Sequence, residues 1–169
     1  MTALFYVSAA IAIISAAMVV TRTNAAHALI YLVLLFLATA SVFLTQGAPL
    51  VAALQIVVYA GAIIVLFVFV VMMLNEGRVT EQRERRWIKG RIWILPLVLA
   101  AALLAQFVAA LTGPGVGQAG AAVGPKAVGI SLFTDYLIGV ELASMLLLAA
   151  LVAAFHFGLF PNRQDSNDE

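Results

Sequence analysis

Residues 54–74 read "LQIVVYAGAIIVLFVFVVMML", an apolar run interrupted near its middle by Tyr59 and Gly61. The hydrocarbon core of a bilayer takes about 20 apolar helical residues to cross. This run fills that length, and counted from Leu50, directly after Pro49, it exceeds it. A hydroxyl and a missing side chain at that depth need a reason, because Gly costs about 1 kcal/mol of helix propensity relative to Ala.

The rest of the chain has the same character. Of its 169 residues 64% are hydrophobic and only 10% charged, with a mean hydropathy of +1.11. A water-soluble domain of this size cannot hide that much apolar surface, so the solvent is lipid. There is no cysteine, which excludes disulfides, thiolate metal sites, cysteine-ligated iron–sulfur clusters and cysteine nucleophiles. A net charge of +1 argues against a nucleic-acid partner. No Lys or Arg precedes the first apolar run, so it reads as a retained helix and not as a secretory signal.

Runs of about 20 residues without Lys, Arg or Asp predict five spans, at about 2–20, 27–45, 50–74, 92–111 and 136–158. Lipid admits only helices or closed barrels, and these runs lack the alternation of barrel strands. The expected fold is an all-α integral membrane protein with one five-helix domain over residues 1–160 and a polar tail over 161–169, disordered at its end. Asn24 is placed to cap the second helix. "TQGAP", residues 45–49, makes a tight turn into the third. The Gly/Pro-rich stretch 112–129 reads as a flexible connection.

Eight of the nine basic residues fall on one side of a five-span chain, namely Arg22, six within residues 75–91, and Arg163, against Lys126 on the other. The excess of Lys and Arg marks the cytoplasmic side, which puts the N-terminus outside and the C-terminus inside. Trp87 and Trp93 flank the start of the fourth span as interfacial anchors do. No internal repeat supports a transporter built from inverted halves.

Glu141 is the one acid inside a span. Ionisable groups at membrane depth face a protein interior or a water path, or else Glu141 lies about one turn below the outer interface. Asp135 reads as a helix cap or interface residue. On the third helix Gln55 and Tyr59 are four apart and share a face, so both seek partners on neighbouring helices. Ala60, Gly61 and Ala62 permit close packing, or accommodate a π-bulge, an inserted residue that rotates one half of a helix against the other and tends to occur at functional sites. His27 and His156 could ligate a haem, though headgroup-level placement explains both. No catalytic or metal-ligating set emerges. One intramembrane acid without a basic partner is too little for autonomous ion pumping.

"ALQIVVYAGAIIVLFVFVVMMLN", "TNAAHALIYLVLLFLATASVF" and "LFTDYLIGVELASMLLLAALVAA" resemble the third, second and fifth helices of the subunit J family of NADH:quinone oxidoreductase, bacterial respiratory complex I, the counterpart of mitochondrial NADH dehydrogenase subunit 6. The resemblance covers most of residues 5–155. It implies a five-helix, non-redox subunit of the membrane arm in the bacterial inner membrane, with other membrane-arm subunits and the lipid bilayer as partners. It implies that this chain binds no cofactor, while NAD, FMN, iron–sulfur clusters and quinone belong to the assembled complex. It also implies that the third helix switches between α and π forms around Tyr59 and Gly61, coupling quinone reduction to proton translocation. Gln55 stands where some members carry glutamate, and Ala25 where proline is frequent. The residues by themselves leave another class open: an autonomous small transporter, or a membrane subunit of a cation/proton antiporter complex.

Overall fold

A computed structural model describes residues 2–74, 91–112 and 123–159. All regular structure among them is helical: α1 (Thr2–Thr21), α2 (Ala25–Thr45), α3 (Pro49–Leu74), α4 (Arg91–Thr112), α5 (Pro125–Thr134) and α6 (Leu137–Leu159). α1, α2, α3 and α6 are long and apolar enough to cross a membrane, and α4 carries a shorter apolar stretch, Trp93–Ala109. The basic loop 75–90 and the polar tail lie outside the described residues.

The chain divides into two units, Met1–Gly124 and Pro125–Glu169. In the first, α2 is the central helix and packs on α1, α3 and α4. Its buried residues Tyr31, Leu34, Ala38 and Ser41 recur at three- and four-residue spacing, which lines one face of a helix. α1 answers with Ser8, Ile11 and Ser15 at the same periodicity, so its contact face is built from small polar and apolar side chains. Leu99 and Leu103 of α4 complete the core with Ile11, Tyr31, Leu34 and Ala38.

The two turns around α2 follow from local chemistry. Asn24 caps it as the sequence predicts: its side-chain oxygen accepts from the amides of Ala26 at 2.9 Å and His27 at 3.4 Å, which satisfies donors that lack intrahelical partners. At the other end Gly47 adopts φ 77°. Its amide donates to the Leu44 carbonyl, and that of Ala48 to Phe43. This paired termination needs a residue at positive φ, which Gly adopts without a steric penalty. Pro49 then opens α3, where its lack of an N–H removes nothing that a first helical turn would use.

The second unit corrects one expectation. Pro125–Thr134 is helical, where the Gly/Pro-rich composition suggested a flexible connection. Pro125 sits at the first helical position, where proline is favoured, and the apolar residues that follow sustain a helix. The amides of Asp135 and Tyr136 both donate to the Ser131 carbonyl, closing α5, and the Tyr136 carbonyl takes the Val140 amide to begin α6. Tyr136, rather than Asp135, therefore occupies the cap position of α6.

Candidate functional site

α3 is wound in three sections: α-helix over Pro49–Leu54, π-helix over Gln55–Ile63, and α-helix again over Ile64–Leu74. Gln55, Tyr59, Ala60, Gly61 and Ala62 all lie in the π section. The Ile64 amide at its end reaches both the Gly61 and the Tyr59 carbonyls, three and five residues back, so a 3₁₀-type and a π-type bond share one donor where the π section ends.

Spacing explains why π winding suits this sequence. All three sections pack along α2, and the less exposed side chains of α3 include Ala52, Ile56, Ala60 and Ile64, each four residues after the last. In an α-helix a step of four turns about 40° past a full circle, so this row would drift about 120° from Ala52 to Ile64. A ladder of i→i+5 bonds holds close to one more residue per turn, and the row then runs nearly straight. Ala52 and Ile64, the two buried residues of the whole helix, can both face α2 only because the segment between them is overfilled.

Tyr59 stands beside this row. Its ring packs on Phe36 of α2 with centroids 5.3 Å apart and planes tilted by 60°, yet the side chain is 45% exposed. Gln55 is half-buried. Neither side chain has a hydrogen-bond partner among the described residues. Among the described residues the expectation that Gly61 makes room for a neighbouring helix is not met: a Cβ there would meet only the Ile56 carbonyl of its own helix, at 3.4 Å. That carbonyl lies five residues back, the partner position of a π ladder, and 3.4 Å is tolerable for a methyl.

Glu141 belongs to the second unit, on the second turn of α6, and is exposed there. Its carbonyl accepts the Ser144 hydroxyl at 2.7 Å. His27 packs edge-on to Trp93 with centroids 6.3 Å apart, and His156 lies on α6. No group of metal-ligating side chains forms among the described residues.

Sequence reasoning missed the buried polar residues Ser8, Ser41 and Gln106 on α1, α2 and α4. The available signal was the spacing of Ser8, Ile11 and Ser15, and the single amide inside the fourth apolar run. From the sequence Arg22 is only one of the basic residues on the cytoplasmic side. Its guanidinium lies over the Tyr31 ring, 5.4 Å from the centroid, and one Nη donates to the Tyr31 hydroxyl at 3.5 Å.

Residues 15–157 match the family described as NADH-ubiquinone/plastoquinone oxidoreductase chain 6. The chain is 51% identical to NADH-quinone oxidoreductase subunit J of Pseudomonas aeruginosa over 96% of both chains. It is 48% identical to subunit J of Escherichia coli over 96% of this chain and 93% of that one. The subunit J of Buchnera aphidicola from Schizaphis graminum is 42% identical over 91% of this chain and 95% of its own.

Proposed function

Because the chain belongs to the NADH-ubiquinone/plastoquinone oxidoreductase chain 6 family, we propose that it is a non-redox subunit of the membrane arm of NADH:quinone oxidoreductase. It crosses the bacterial inner membrane five times, with its N-terminus outside and its C-terminus in the cytoplasm. Flavin, iron–sulfur clusters and quinone are held by other subunits, and this chain couples quinone reduction to proton translocation by changing the winding of residues 55–63.

The observation that carries this is the in-line row Ala52, Ile56, Ala60 and Ile64 across a π segment. Rewinding that segment as α-helix turns the section Ile64–Leu74 by about 100° against Pro49–Leu54, one residue's worth of rotation. Two windings of one helix then present different side chains at the same depth, among them the half-exposed Tyr59. Such a bistable element is what a conformational coupling device requires. Glu141, Gln55 and Tyr59 are the polar groups of this chain available to the proton path, and Gly61, with Ala60 and Ala62, keeps the segment free to change.

The test is Gly61→Val, read as assembled complex on a native gel beside NADH-driven quinone reduction and proton pumping in the same membranes. Normal assembly with pumping lowered about tenfold supports a gating role, because a β-branched side chain restricts the rewinding segment while remaining compatible with a lipid-embedded helix. Normal pumping would remove that role. Failure of assembly would make Gly61 a packing residue.

A further inference from the structure

Ser8, Ser41 and Gln106 come from three helices and meet in one buried knot. The Gln106 amide nitrogen donates to the Leu4 carbonyl at 2.7 Å and to the Ser8 hydroxyl. The Ser8 hydroxyl lies 3.0 Å from that of Ser41 and 2.9 Å from the Leu4 carbonyl. A carbonyl only accepts, so Leu4 fixes which end of the Gln106 amide faces it. The other end, Oε1, is buried without a partner among the described residues.

That asymmetry decides what Gln106 is for. A buried acceptor left unpaired offsets much of what the two donations contribute, and an apolar side chain of similar length would fill the same space without the penalty. Leucine cannot supply direction. Helices in lipid gain little by facing one another rather than the acyl chains, so apolar contact specifies their rotation weakly. The bonds to Leu4 and Ser8 exist at one rotational setting only.

We propose that Gln106 is a positioning residue that holds α1 and α4 at a single rotational register on α2. Ser41 lies five residues from Phe36, about 140° round α2, so the knot grips one side of the helix while Tyr59 packs on the other. The three-helix block is the fixed frame against which α3 moves. This last clause rests on the function proposed for α3; the register itself does not.

Cysteine cross-linking tests the register directly, since the chain has no native cysteine. Ser8 and Leu4 against Gln106, with Ile11 and Leu103 in one core cluster, set α1 and α4 antiparallel. A pair of cysteines at Ile11 and Leu103 should therefore cross-link in the assembled complex. A pair at Leu103 and Ile13, the latter 71% exposed, should not. The link is read as retention of the two halves in one species after proteolysis between residues 74 and 91. In the Gln106→Leu background we expect unchanged accumulation, a loss of at least about half of the 11–103 link, and a new 13–103 link. Ser41→Ala, which removes one hydroxyl, should give the same spread more weakly and serves if Gln106→Leu fails to accumulate. An unchanged cross-linking pattern in either accumulating variant overturns the proposal. A preserved pattern with defective pumping in Gly61→Val bears on the function of α3 alone.

Discussion

Ala52 and Ile64 are buried on the same helix, twelve residues apart, and the π-wound segment Gln55–Ile63 lies between them. In unbroken α-helix these two side chains would point about 120° apart. The π section makes them one packing face, so the winding and the contact with α2 depend on each other.

Removing one residue should separate the two. Deleting Ala62 places Ile64 eleven positions after Ala52, about 20° from in line in plain α-helix. The deletion is expected to assemble, to stay α-wound, and to lower proton pumping by about tenfold, since no second winding then satisfies the packing row. Native gels and pumping assays in the same membranes decide it. Pumping at the parental rate would show that overfilling is dispensable.

Gly61→Ala gives the complementary result. Among the described residues the added methyl meets only the Ile56 carbonyl, at 3.4 Å, and Ala favours a helix by about 1 kcal/mol over Gly. Assembly should be unchanged and quinone-linked pumping should stay within about twofold of the parent. A loss as large as that of Gly61→Val would mean that a partner subunit, not this chain, fills the space beside Gly61.

Glu141→Gln keeps the side chain's shape and removes its charge. On an exposed position of α6, an ionisable group at membrane depth is expected to serve a neighbouring protein surface or water path. Coupled NADH oxidation should fall by roughly two- to fivefold with the complex intact, and Glu141→Ala should do at least as much damage. Parental values in both variants would place Glu141 at the interface with no part in transfer.

Orientation is testable by reporter fusions after residues 82 and 120. The distribution of Lys and Arg predicts a cytoplasmic signal from the first and an external signal from the second. The same compartment at both sites would remove the five-span topology.

The Asn24 cap and the membrane-crossing character of α1, α2, α3 and α6 were legible in the sequence because each is a local property: run length, a capping oxygen, a solvent preference. The helix at Pro125–Thr134 was not, because a glycine-rich composition lowers helix propensity only on average, and the helix that starts at Pro125 accommodates Gly129 within it. The knot of Ser8, Ser41 and Gln106 was hidden for a different reason. Serine occurs anywhere on a membrane helix, and only packing tells which two hydroxyls and which amide, from three separate helices, meet.

By itself, then, the sequence determined the helical, multi-pass membrane character of this protein, because 64% apolar composition in long unbroken runs leaves backbone groups no partner but their own helix. It also marked Tyr59 and Gly61 as the place where α3 departs from uniform apolar helix. Which winding that place adopts was decided by tertiary structure. α and π ladders satisfy the same backbone groups, and the choice falls to the alignment of Ala52, Ile56, Ala60 and Ile64 against α2, a relationship between helices that no single run of residues contains.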